Sequence, residues 1–233
     1  GNFNEKTAKL YCDHGLFTSH IGIVNEVKDL YHHLENQHYE CNFEHILVPG
    51  FNMVPQFIKY IRQEAKNAKK GKDAYILLKM NGLQDEPLVE ELYRASEAGV
   101  TIDIIVRGIC ILKPGQTYSK NIRLIRIVDR FLEHARIFVF HNNGKTKVYM
   151  GSADWMKRNL NRRIECVFPI YEEELKEELL DVLNIQLSDN VKASLIDENM
   201  QNVRISNGQP ELRSQLATYE YFKQKYVDKP LPG

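Results

Sequence analysis

The side chains best suited to chemistry lie in two short stretches, His134-Ala135-Arg136 and Gly151-Ser152-Ala153-Asp154-Trp155. Alternation along a strand sends His134 and Arg136 to the same face. An imidazole titrates near neutrality and serves as nucleophile, proton donor or proton acceptor. A guanidinium offers a planar fork of donors matched to phosphate oxygens at any working pH. Between the two stretches, Asn142-Asn143-Gly144-Lys145 is a hairpin signal. With the turn at Asn143-Gly144, Gly151 falls opposite Arg136 and Ala153 opposite His134. Two small residues facing an imidazole and a guanidinium leave a space ringed by donors, in which a phosphate fits. Asp154 is placed to orient the imidazole or a neighbouring arginine. A His and an Arg alternating on an exposed strand also occur without any role, so spacing alone leaves both readings open.

The elements that would position these groups follow from hydrophobic periodicity. Residues 23–34 have helical spacing, and 45–49 form a short apolar run that reads as a strand. Residues 55–70 place Phe57, Ile58, Ile61, Ala65 and Ala68 on one helix face. Residues 74–79 read as a buried strand, 86–98 as a helix with Pro87 in its first turn, and 101–106 as the next strand. Strand and helix alternating in this way predict βαβ units, hence an α/β sandwich with a mostly parallel central sheet flanked by helices. Arg107, in Val106-Arg107-Gly108, then sits at the carboxyl end of a parallel strand, where open α/β sheets place their ligands. From Ile122 the pattern changes: 136–140 and 147–150 are the arms of the hairpin, 171–187 is an acidic helix, 198–208 a polar loop and 212–226 a terminal helix. The run Glu172-Glu173-Glu174 suits a helix N-terminus, where negative charge complements the macrodipole.

Composition bounds the function. The chain has 233 residues, 43% hydrophobic, enough for a core without disulfide or metal staples. Its 31 basic and 31 acidic residues cancel, which argues against a strongly basic nucleic-acid module but leaves room for a local basic pocket. No apolar run is long enough for a transmembrane helix, and no signal peptide opens the chain. Cys12, Cys41, Cys110 and Cys166 are far apart, without the paired spacing of a zinc site, and read as buried thiols of a reducing compartment. His32-His33 read as surface residues of a helix. The chain starts at Gly1 without an initiator Met and ends Pro-Leu-Pro-Gly, so it reads as a piece of a longer protein. Asn2-Phe3 followed by Lys6 echoes Asp154-Trp155 followed by Arg158, as two related half-sites would.

His134-x-Arg136 with Gly151-Ser152-x-Asp154 resembles a variant of the His-x-Lys…Gly-Ser-x-Asn signature of the phospholipase D superfamily. Arg136 replaces its Lys, His141 stands in the place of its Asp, and Asp154 replaces its Asn. Longer stretches resemble the bacterial, histidine-phosphorylated polyphosphate kinase family: residues 1–11, Leu78-Lys79-Met80-Asn81, Val106-Arg107-Gly108, Ile127-Val128-Asp129-Arg130-Phe131-Leu132-Glu133-His134, Ser152-Ala153-Asp154-Trp155-Met156, Arg158-Asn159 and 185–193. Together they cover nearly the whole chain.

This resemblance implies a carboxyl-terminal part of a larger enzyme. Residues 1–45 would be the truncated tail of a first phospholipase D-like domain, and 46–233 a second, catalytic one. The implied activity is reversible transfer of the ATP γ-phosphate through a phosphohistidine to inorganic polyphosphate. The nucleophilic histidine and the arginines that hold Mg²⁺ are expected upstream, so no metal ligand is expected here and the 233 residues alone are expected to be inactive. By resemblance, His134 is the second active-site histidine, catalytic and ATP-binding, while Tyr11 and Arg107 contact the nucleotide and its phosphates. Arg136, Lys79, Asn81, Asp154, Arg158 and Arg163 are candidates for a phosphate or polyphosphate path; Lys79, Asn81, Arg158 and Arg163 each have an equally simple surface or ion-pair reading. The implied partners are ATP, ADP and polyphosphate, with no nucleic acid, in a homo-oligomeric parent that is cytoplasmic or peripheral at the inner membrane. A phospholipase D-like phosphodiesterase and a non-catalytic polyanion-binding module are the alternatives.

Overall fold

Runs of β-branched and other apolar residues buried on both faces make central strands. Tyr75–Met80 and Thr101–Val106 are two such runs, each buried in all but its first residue. The computed structural model describes residues 4–227; Asn2 and Phe3, and with them the echo of Asp154-Trp155, lie outside the described residues, as does Pro230-Leu231-Pro232-Gly233. In chain order the elements are β1 (Tyr11–Cys12), α1 (Ile21–Glu35), α2 (Met53–Lys69), β2 (Tyr75–Met80), α3 (Glu86–Glu97), β3 (Thr101–Val106), β4 (Ile122–Ile127) and β5 (Leu132–Glu133). They continue with β6 (Arg136–Phe140), β7 (Lys147–Gly151), α4 (Lys157–Asn161), β8 (Val167–Ile170), α5 (Glu173–Leu187), β9 (Ala193–Ile196), β10 (Asn202–Arg204) and α6 (Ser214–Tyr226).

Eight strands form one sheet in the order β10-β9-β4-β3-β2-β6-β7-β8, and β1 pairs separately with β5. Within the large sheet only β2–β3 and β3–β4 run parallel; its other five pairings are antiparallel. The sheet is therefore mixed, which corrects the expectation of a mostly parallel one. The physical reason lies after β4. Parallel neighbours need a long crossover, usually a helix, whereas β6–β7 and β9–β10 are joined by short returns that force antiparallel pairing.

The period of two sorts the core. Ile76, Leu78, Ile102 and Ile104 pack on one face against Phe57 and Ile61 of α2 and Leu88 and Leu92 of α3. Leu77, Ile105, Ile137 and Val139 pack on the other against Leu179 and Leu183 of α5. Helices thus cover both faces, as the α/β sandwich reading expects. The β6–β7 turn has positive φ at Asn142, Asn143 and Gly144, conformations that Asn and Gly tolerate best. Its register pairs Arg136 with Gly151, as the hairpin arithmetic requires.

Two local expectations are corrected. Residues 45–49 are not a strand: Leu47 makes a single bridge to Val167, and Pro49 and Gly50 end the pairing. The polar stretch 198–208 contains β10, which hairpins back on β9. The apolar cluster of Ile23 and Leu30 with Phe43, Ile46 and Val48 runs across the 45/46 boundary, so α1 is packed on the start of the second segment. No helix among the described residues is long and apolar enough to cross a membrane.

A Cβ on Gly151 would lie 2.3 Å from the Cys166 carbonyl oxygen and 2.6 Å from Val167 Cα, both backbone atoms of the neighbouring strand. Gly151→Ala is expected to cost about 1–3 kcal/mol by overpacking, read as a lower urea midpoint. An unchanged midpoint would mean that β8 does not close on Gly151.

Candidate functional site

Strands β2 and β3 end side by side, and the residues that follow them, Asn81 and Arg107, meet. Asn81 engages all four of its polar groups. Its backbone N–H donates to Asp154 Oδ1 (2.7 Å), and its backbone carbonyl accepts from Gly108 N–H (2.9 Å). Its side-chain Oδ1 accepts from Arg107 Nε (2.9 Å), and its Nδ2 donates to the His134 carbonyl (3.1 Å). Arg107 Nε also donates to the Glu133 carbonyl at 3.1 Å. A Cβ at position 108 would stand 2.8 Å from the Asn81 carbonyl oxygen, so the close approach needs glycine there.

His134 lies in the two-residue break between β5 and β6. The N-terminal segment reaches it by parallel pairing of β1 with β5, Tyr11 opposite Leu132 and Cys12 opposite Glu133. That pairing delivers two side chains. Tyr11 meets the imidazole edge-on, ring centroids 4.9 Å apart at 89°. Asp13 Oδ1 lies 3.0 Å from His134 Nδ1. A carboxylate only accepts, so the proton is assigned to Nδ1 and the lone pair to Nε2. Nη1 of Arg136 lies 3.1 Å from both ring nitrogens and donates to the His134 carbonyl at 2.7 Å. Burial, and then the Arg136 charge, hold the imidazole below its ordinary pKa, with Asp13 opposing them. His134 is thus neutral at neutral pH.

Arg136 is committed elsewhere. Its Nε and Nη2 donate to Asp154 Oδ1 and Oδ2 at 3.2 and 3.0 Å, a buried bidentate pair. Asp154 is fixed in turn by the N–H groups of Asn81 and Gly82, and by Trp155, which is fully buried and stacks on Phe138. Asp154 therefore orients the arginine, one of the two roles its position allowed. The donor-ringed space expected opposite Arg136 is filled: β8 backbone occupies the side of Gly151, and Ala153 is buried.

Lys79 is 2% exposed and its Nζ donates to Glu133 Oε2 at 2.6 Å. Gln186 and Gln215 complete the shell, donating to Glu133 at 3.1 and 2.8 Å. Alternation places Lys79 on the sheet face covered by α5, where a lone ammonium could not stay charged without this carboxylate. With Lys79 held by Glu133 and Arg136 by Asp154, the cation left over at the site is Arg107. Among the described residues its terminal nitrogens have no hydrogen-bond partner, and it is half-buried.

The expected residues therefore divide. Tyr11, Arg107, His134, Arg136, Asn81 and Asp154 come together. Lys79 joins them from below as a buried pair and offers no surface to a polymer. Arg158 and Arg163 are exposed, on α4 and just after it, without a carboxylate partner among the described residues. Asp13, Glu133, Gln186 and Gln215 were not singled out from the sequence. Asp13 had a signal, since a residue two beyond Tyr11 on an extended segment shares its face. Glu133 had none. The four thiols are free, and burial raises those of Cys12, Cys110 and Cys166 to about 11, so none is a ready nucleophile.

Residues 46–215 match the family described as polyphosphate kinase C-terminal domain 2, and residues 1–40 match polyphosphate kinase C-terminal domain 1. A polyphosphate kinase of Vibrio parahaemolyticus is 45% identical over 225 residues, 96% of this chain and 32% of that protein. The crystal structure of polyphosphate kinase from Porphyromonas gingivalis superposes with a TM-score of 0.95 at 47% identity, over 98% of this chain and 36% of that one. Nuc from Salmonella typhimurium, a phospholipase D family member, aligns over 65% of this chain and 97% of its own at 15% identity, with a TM-score of 0.46. The chain thus spans about a third of the length of the curated relatives it matches.

Removing one partner of the buried pair leaves an uncompensated charge. Lys79→Met is expected to cost about 3–5 kcal/mol, and the double change Lys79→Met with Glu133→Leu to recover a large part of it. Denaturant titration of the two variants checks this, and equal losses in both would remove the pairing argument.

Proposed function

The chain belongs to the polyphosphate kinase family, and from that premise we propose that these residues form one half of a site. That site moves the terminal phosphoryl group of ATP, by way of a phosphohistidine, onto inorganic polyphosphate and back. The observation that carries the reading is an uncommitted guanidinium, Arg107, held through Asn81 beside a neutral imidazole, His134. Phosphoryl transfer asks mainly for alignment and charge neutralisation. Arg107 would neutralise oxygens of the moving phosphate, and Tyr11 would contact the nucleotide. Nε2 of His134 would accept and return a proton, or hold a phosphate oxygen once protonated. The nucleophile would be a second histidine, outside these residues, in the longer chain of the family. Its nitrogen forms a bond to phosphorus as the bond to the leaving ADP oxygen breaks. A terminal oxygen of the polymer then attacks, and the N–P bond breaks.

The carboxylates at the site do not fit a Mg²⁺ centre. Asp13 is taken by His134, Asp154 by Arg136 and two amides, and Glu133 by Lys79 and two glutamines. No cluster of three or more ligating side chains occurs among the described residues. Any Mg²⁺ that accompanies ATP would take its ligands from elsewhere in the longer chain. Arg158 and Arg163, exposed and uncommitted, would guide the polymer. Family matches that end at residue 40 and resume at 46 support reading residues 1–45 as the tail of one domain and the rest as another, with β1 carrying Tyr11 and Asp13 across.

The test uses the full-length parent with γ-labelled ATP. Acid-labile, base-stable label on protein, followed by acid-insoluble polymer, is the expected result, and the 233 residues alone should give neither. Cleavage of a phosphodiester without any label would hand the site to phospholipase D-like chemistry. His134→Ala in the parent should slow polymer formation at least about a hundredfold, the usual scale of a positioned acid–base group; full activity would leave only polyanion binding. The pH dependence has a definite sign. The working form is neutral, so activity is lost as pH falls through the His134 pKa, which already lies below the ordinary value. Asp13 raises that pKa, so Asp13→Asn should move the acid limb of kcat to lower pH while reducing kcat. An acid limb that stays in place or moves up would exclude His134 as the titrating group.

A further inference from the structure

A second concentration of positive charge lies away from this site. Arg62, Lys66 and Lys69 follow one face of α2 at spacings of four and three residues, and Lys70 and Arg94 of α3 flank the groove of about 460 Å³ between the two helices. Five basic side chains line it against one carboxylate, Glu91, in a chain whose net charge is zero. Glu91 is buried and already shared by Arg62 (2.8 Å) and Arg94 (2.5 Å), while Glu90 holds Arg94. Lys66, Lys69 and Lys70 are exposed and make no ion pair among the described residues.

We infer that this groove is a second binding site for inorganic polyphosphate, one that holds the polymer away from the chemistry. The inference rests on the polymer being the substrate. The lining favours this occupant over other polyanions. The remaining lining residues are Ala65 and Ala95, so no aromatic ring is present on which a base could stack, as single-stranded nucleic acids require. No large apolar side chain is present to anchor in a membrane. Small residues and long cations suit a thin chain of charge. The groove lies toward the amino ends of β2 and β3, whereas Asn81 and Arg107 follow their carboxyl ends. A six-residue strand, about 20 Å, separates the two. A chain long enough to span that distance would be held at both places, and a short one at the active site alone.

The experiment compares the full-length parent with its Lys66→Glu/Lys69→Glu/Lys70→Glu variant, and with the corresponding triple Gln variant as a milder change. Long-chain polyphosphate and a short oligophosphate are titrated at several salt concentrations. For the charge-reversed protein, affinity for the long chain should fall at least about tenfold and the slope of log K against log salt should flatten by about two, the value for three lost phosphate contacts. The Gln variant should show a smaller loss in the same direction, and turnover with ATP and a short primer should be unchanged in both. Long-chain affinity and salt slope that match wild type overturn the second site alone. So does loss of single-stranded RNA binding with polyphosphate binding intact. A wild-type parent that neither makes nor binds the polymer overturns the reading of the active site, and this inference with it.

Discussion

The site depends on one uncharged side chain with every polar group engaged. Asn81 joins the ends of two parallel strands to the Arg136–Asp154 pair, to the guanidinium of Arg107 and to the backbone of His134. Two donors and two acceptors are needed at that point, and the amide side chain supplies one of each beyond the backbone. A carboxylate would remove one of the two donors to the His134 carbonyl, leaving that of Arg136, and would add charge where the balance is already closed. The spacing between the free cation and the imidazole is thus set by hydrogen bonds to a rigid sheet rather than by a loop.

The balance of charge has a direction. Three cations and three carboxylates surround His134, and two pairs form in isolation: Lys79 with Glu133, and Arg136 with Asp154. Asp13 goes to the imidazole, which leaves Arg107 as the cation that an anion can reach. Burial, and then the Arg136 guanidinium beside the ring, disfavour the imidazolium of His134. Tyr11 and Asp13 arrive on β1, a strand of only two residues, and on the residue after it, so these two side chains owe their place to a short pairing with β5.

Much of this was legible in the sequence where a period decided it. The β6–β7 register followed from Asn143-Gly144 and the alternation around it, and α2, α3 and β3 follow from stripes of apolar residues. The parallel bias was misleading because the run of parallel strands covers only residues 75 to 127; beyond it β6–β7 and β9–β10 return by short turns, and α5 joins β8 and β9, which are not neighbours in the sheet. Pro169 hides β8, an edge strand where a missing N–H costs no ladder bond. Lys79 stays open in the sequence between a polymer contact and a surface or ion-pair role, since the carboxylate that decides it comes from 54 positions away. The same limit applies to the arginines. Arg107 and Arg136 are alike in sequence, and only the reach of Asp154 decides which is bound and which is free.

That last point fixes the part played by the Arg136–Asp154 pair. A guanidinium without a carboxylate would leave one positive charge uncompensated. Here an Arg with an Asp carries none, because the planar fork takes both carboxylate oxygens and a third nitrogen reaches the His134 carbonyl. A lysine has a single nitrogen and could not satisfy both. The pair is therefore closed, and its guanidinium is a fixed part of the frame. The cation left open at the site comes instead from the end of β3, an arginine whose Nε is anchored and whose remaining nitrogens have no partner among the described residues.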